Sequence, residues 1–83
     1  IMSNKKQLFR VFSDVLKVDA KSLDESSSPD TIANWDSLAV INIVIELEQI
    51  FKVQFDIMEI ADFQNIGIIK SILEEKGVLF NDV

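Results

Sequence analysis

Apolar side chains recur along the first stretch of the chain at Leu8, Val11, Phe12, Val15 and Leu16, with Lys5, Lys6, Gln7, Arg10 and Asp14 between them. That spacing predicts an amphipathic helix from Asn4 to about Lys17. The pattern then breaks. Between Val18 and Trp35 lie Asp19, Asp24, Ser26, Ser27, Ser28, Pro29 and Asp30, which satisfy their own backbone locally and interrupt regular structure. A long connection is expected, carrying short turns of its own and pinned to the core by Leu23, Ile32 and Trp35. At Asp36 a capping residue precedes Ser37 and an apolar-rich run, Leu38 to Phe51, that contains neither Gly nor Pro. The β-branched content of this run would also suit a strand, but its length and the polar positions Asn42, Glu46 and Gln49 argue for a central helix. Asp56 can cap a short helix to Ala61, and Asn65 can cap another from Ile66 to about Lys76, with Ile68, Ile69, Ile72 and Leu73 as its stripe and Gly77 as its stop. The expected fold is all-α: a small four-helix bundle with a long first loop and a short third helix, forming a single domain over residues 1–83.

The central helix is apolar over more of its surface than one core contact requires. At about 100° per residue, Val40, Ile43, Val44, Leu47, Ile50 and Phe51 form one arc, and Leu38, Ile41 and Ile45 widen it to roughly two thirds of the circumference. The widened part also contains Ser37 and Glu48. The first arc is expected in the core, with Val44 and Leu47 buried. The extension reads instead as a docking surface beside Ser37. Trp35 reads as a hydrophobic plug beneath the long loop with its indole edge at the surface, over a core without buried polar residues.

Composition narrows the functions available. Eighty-three residues, 48% hydrophobic and 27% charged, suit one packed helical domain and leave little room for an elaborate cleft. Fourteen acidic against eight basic side chains give a net charge of −6, which disfavours nucleic acid and anionic lipid and favours basic partners. The chain has no cysteine and no histidine, so disulfides, thiolate metal sites, cysteine nucleophiles and the usual base of a hydrolytic triad are excluded. No nucleophile–base pair stands out among the scattered carboxylates, and neither an enzyme nor a metal site is expected. No apolar run is long enough for a signal segment or membrane span, so a cytoplasmic monomer is the expectation.

Trp35-Asp36-Ser37-Leu38, followed by Ile43-Val44-Ile45-Glu46-Leu47-Glu48-Gln49-Ile50-Phe51, resembles the prosthetic-group segment of acyl carrier proteins. Val53-Gln54-Phe55, Glu59-Ile60 and Phe63-Gln64-Asn65-Ile66-Gly67 are similar to later signposts of that family, so the resemblance covers nearly the whole chain. It implies that Ser37 is esterified by 4'-phosphopantetheine, transferred from coenzyme A by a magnesium-dependent phosphopantetheinyl transferase, and that acyl groups ride on the terminal thiol. A phosphodiester at a helix start meets free backbone amides and the positive end of the macrodipole. The thiol comes from the cofactor, so a cysteine-free protein can still carry thioesters.

By the same resemblance Asp36 caps the helix and presents a carboxylate to the transferase, while the central and third helices dock acyl-transferring or acyl-activating enzymes through basic surfaces. Leu38, Ile41, Ile45, Glu48, Glu59 and Asp62 are the docking candidates, with Glu46 nearby. Ala39 and Asn42 stand where many fatty-acid carriers have acidic residues, so apolar contacts are expected to carry more of the affinity here. Fatty-acid, polyketide and polysaccharide-related pathways remain open. So do a peptidyl or aminoacyl carrier and a cofactor-free helical adaptor. Taken alone, Asp36-Ser37 is also a plain helix cap, and the carboxylates a solvated face.

Overall fold

The computed structural model describes residues 3–80. Four α-helices, α1 (Asn4–Leu16), α2 (Ser37–Phe51), α3 (Ile57–Ala61) and α4 (Ile66–Glu75), are joined by loops, and a single 3-10 turn covers Ala20–Ser22. No strand occurs among the described residues. The all-α plan with a long first loop and a short third helix is therefore observed.

Each helix starts on a side-chain cap that takes one of its free N–H groups. Ser3, Asp36, Asp56 and Asn65 accept from Lys6, Ala39, Glu59 and Ile68. At α3 the cap is reciprocal, because the Glu59 carboxylate accepts the Asp56 N–H at 2.9 Å. Both α1 and α2 end on a lysine in the left-handed region, Lys17 at φ 60° and Lys52 at φ 57°, a position more often held by glycine.

Leu8, Val11, Phe12 and Leu16 of α1 are buried, and α1 packs against α2. From α2 only Ala39, Ile43 and Leu47 are buried, a stripe one residue wide at i, i+4 and i+8. The central helix thus meets the core along a narrower line than its apolar arc suggested. Val40, Val44 and Phe51 are half-buried at its edges, and Ile50 is 39% exposed, which corrects the expectation that Val44 and Ile50 lie within the core. Ile66, Ile69 and Leu73 of α4 complete the interior, while Ile68 and Ile72 flank it.

The loop between α1 and α2 is fastened at several points. Asn34 donates its side-chain N–H to the Leu16 carbonyl at 2.9 Å, closing the end of α1. Leu23 and Trp35 enter the core, and half-buried Ile32 packs against it. Trp35 is only 4% exposed, with its ring 5.3 Å from that of Phe12, and its indole N–H is buried without an acceptor among the described residues. The indole edge is therefore not at the surface, as the sequence had suggested. Such an orphaned donor costs roughly 1–3 kcal/mol, set against burial of a large aromatic surface.

Farther back, the Glu25 and Ser27 carbonyls accept the Gly67 and Ile66 N–H groups at 2.8 and 3.1 Å, so the loop caps α4 from outside. Gly67 permits this approach, because a Cβ there would lie 3.2 Å from the Glu25 carbonyl oxygen. Ser27 itself is buried, its hydroxyl accepting the Asp24 N–H at 2.9 Å, so the interior does hold one polar side chain that sequence reasoning missed.

The narrow α2 stripe makes a graded prediction. Leu47→Ala should lower unfolding free energy by about 2–5 kcal/mol, and Ile45→Ala by no more than about 0.5 kcal/mol, with Val44→Ala between them. Urea melts of the three variants check the ranking.

Candidate functional site

Ser37 is the first residue of α2, exposed at the point where the loop turns into the helix. The Asp36 carboxylate on one side of it accepts the Ala39 N–H at 2.9 Å, and the Asp36 carbonyl accepts from Val40 at 3.0 Å. The N–H groups of Ser37 and Leu38 have no acceptor among the described residues. An exposed hydroxyl thus stands beside two free backbone donors at the positive end of a helix of 15 residues. Trp35 anchors the segment from beneath. The buried ring fixes the residue two positions before the serine, while the Asp36 carboxylate holds the Ala39 N–H two positions after it, so the hydroxyl is held on a short, constrained stretch.

Along α2 from Ser37, Leu38, Ile41 and Ile45 are 67%, 56% and 48% exposed. These large apolar side chains lie outside the core, as expected. The structure adds two that sequence reasoning passed over, Ile57 and Met58 at the start of α3, which are 83% and 76% exposed. A five-residue helix is too short for periodicity to reveal which side faces water, so only the cap at Asp56 signalled this element.

The acidic candidates divide by their partners. Glu48 is half-buried, and its carboxylate accepts the Phe55 N–H at 3.0 Å, holding the chain as it leaves α2 for α3. Glu59 closes the α3 capping box and also pairs with Lys76 at 2.8 Å, joining α3 to the end of α4. The Lys76 ammonium also lies 5.5 Å from the centre of the Phe55 ring, and that ring meets Phe63 edge-on at 5.2 Å. Asp62 is exposed and ends α3, and Glu46 on α2 is half-buried. Glu48 and Glu59 therefore have structural bonds of their own, whereas Asp62 does not. The Lys76 ammonium and the Asp56 N–H, both bonded to Glu59, hold its carboxyl below the usual range against a smaller opposing effect of partial burial.

A family model described as a phosphopantetheine attachment site matches residues 6–71, well over half of the chain. The chain belongs to this family. It is accordingly a carrier domain, whose family carries a 4'-phosphopantetheine prosthetic group and is not itself catalytic. No curated protein sequence matches the chain. The residues present fit such a group. The exposed Ser37 hydroxyl can bear a phosphodiester, and the free amides of Ser37 and Leu38 suit its charge. When bound, the group supplies the thiol that the chain lacks. A carrier domain of this kind interacts with a phosphopantetheinyl transferase and with biosynthetic enzymes. Among the described residues no helix is long and apolar enough to cross a membrane.

The Glu59–Lys76 pair predicts a pH dependence. The carboxyl is lowered on folding from 4.5, so its contribution is complete above that value and is lost as pH falls through the lower folded-state value. Melting temperature should therefore drop more steeply on acidification for the wild type than for Glu59→Gln. The two profiles, measured from neutral pH downward by circular dichroism, should converge at the acid end.

Proposed function

We propose that the chain is an acyl carrier protein that tethers acyl intermediates as thioesters on a 4'-phosphopantetheine arm at Ser37 and presents them to partner biosynthetic enzymes. The observation that carries this reading is the exposed serine at the start of α2, with two unpaired N–H groups beside it, inside the span of the family match. The whole of residues 1–83 serves as one carrier domain, acting as a monomer in the cytoplasm.

Attachment is a transfer from coenzyme A: the Ser37 hydroxyl oxygen bonds to the phosphorus of the phosphopantetheine moiety, its proton is lost, and adenosine 3',5'-bisphosphate leaves. In this step the chain contributes position. Asp36 uses one carboxylate oxygen to hold the Ala39 N–H and so keeps Ser37 at the helix start, and it remains exposed for contact with the transferase. Once attached, the phosphodiester lies beside the free amides of Ser37 and Leu38, which stabilise its charge.

Docking of acyl-transferring or acyl-activating enzymes falls to Leu38, Ile41 and Ile45 on α2, with Asp62 as an exposed acidic contact at the end of α3 and Glu48 and Glu59 at the margin. The apolar content of this surface supports a partner that meets it with hydrophobic side chains at the centre and basic ones around them. Because Glu48 and Glu59 already hold Phe55 and Lys76, engaging them costs more than engaging Asp62. An acyl rather than an aminoacyl cargo is favoured by the acidic balance of −6.

Ser37→Ala should fold as the wild type does yet gain no mass with coenzyme A, magnesium and a phosphopantetheinyl transferase. Intact-mass spectrometry reads the outcome, and modification of the alanine variant would refute the assignment. Ile45→Ala, in holo form, should be loaded by an acyl-activating ligase several-fold more slowly at unchanged melting temperature. An unaltered rate for both Ile41→Ala and Ile45→Ala would move the docking surface elsewhere.

A further inference from the structure

Beside the attachment point, between the end of α1 and the start of α2, lies an open groove of about 310 Å³. Asp36 and Leu38 form part of its wall, so it borders the residues on either side of Ser37. Lys17, Asn34 and Asn42 also line it. Lys17 is in no ion pair, and the Asn42 amide has no hydrogen bond among the described residues. Asn34 donates a side-chain N–H to the Leu16 carbonyl, and its side-chain oxygen has no partner among the described residues. The wall thus offers one unpaired cation and two amide side chains with unused capacity. A larger groove, about 830 Å³ in volume, is unlike it. Glu25, Asp62 and Glu75 line that cavity without a lysine, an environment that repels a phosphodiester.

The arm expected at Ser37 carries a phosphodiester at its attached end and two secondary amides farther along. We propose that this groove seats the arm, with the Lys17 ammonium facing the phosphodiester and the Asn34 and Asn42 amides hydrogen-bonding to the amide groups. The inference rests on Ser37 being the attachment residue. It extends that reading by giving the arm a resting place on the α1 side of α2, which leaves Ile41 and Ile45 free to meet a partner.

Lys17 also has a simpler role, since a cation at the end of a helix complements the macrodipole. Lys52 occupies the same left-handed position at the end of α2 and lies at the opposite end of that helix from Ser37. The two roles separate in Lys17→Gly. Glycine adopts φ 60° without the strain a lysine bears, so this variant should melt no lower than the wild type while losing the cation.

The test compares apo and holo forms of the full chain, prepared with coenzyme A and a phosphopantetheinyl transferase and verified by intact mass. In nitrogen-edited spectra, conversion to holo should shift the Asn42 side-chain amide and the Lys17 backbone amide, and the Asn42 side chain should show contacts to the arm's methylene protons. Those shifts should vanish in Lys17→Gly, return in Lys17→Arg and shrink with added salt. Changes confined to residues 36–38 in the holo wild type, or Asn42 shifts that persist in Lys17→Gly, would overturn the proposal. A wild type that gains no mass would instead overturn the Ser37 assignment and remove the groove's ligand with it.

Discussion

A loop that lies across a hydrophobic core must find partners for its own backbone, and the first loop of this carrier domain does so by lending its carbonyls to a helix that lacks acceptors. The Glu25 and Ser27 carbonyls take the first N–H groups of α4, and Gly67 leaves room for them. At its other end the loop buries Trp35 against Phe12 and closes α1 through Asn34. These fastenings fix where the chain emerges before α2, and Asp36 then converts that point into a helix start with Ser37 exposed upon it. The position of the candidate serine is thus a consequence of how the loop satisfies itself.

The acidic character of the chain has two sources with different consequences. Some carboxylates are structural: Asp36 and Asp56 cap helices, Glu48 holds the chain entering α3, and Glu59 joins α3 to α4 through Lys76. Others, such as Asp62, are exposed and available to a basic partner. None of the five residues of α3 is buried, so that helix depends on the aromatic pair of Phe55 and Phe63 at its ends and on the Glu59 bond. The same feature leaves Ile57 and Met58 in water.

The apolar excess of α2 has a related origin. A helix that buries only Ala39, Ile43 and Leu47, with Val40, Val44 and Phe51 half-buried at the rim, needs fewer apolar residues than α2 carries. Leu38, Ile41 and Ile45 lie outside the core and form an exposed apolar strip along α2. The groove between the end of α1 and the start of α2 adds Lys17, Asn34 and Asn42 to the surroundings of Ser37, so the exposed serine has polar as well as apolar neighbours.

The sequence by itself determined the helices, because caps at Asp36, Asp56 and Asn65 and the spacing of apolar residues are local signals that backbone hydrogen bonding enforces wherever the chain folds. It also determined the family and the candidate serine, through a segment whose residues are contiguous. What tertiary structure decided is how wide each buried stripe is and which polar group meets which partner. Val44 and Ile50 carry side chains as apolar as those of Ile43 and Leu47, and only the packing of α1 against α2 separates rim from core. Trp35 is followed by a polar segment, yet its ring is buried beside Phe12 of α1, leaving the indole N–H without a partner among the described residues. Glu48 and Glu59 are indistinguishable in sequence from solvated carboxylates, and their bonds exist because the segment before α3 brings Phe55 to Glu48 and the end of α4 brings Lys76 to Glu59. Pairings across such distances depend on where whole elements come to rest, and periodicity along one helix carries no record of that.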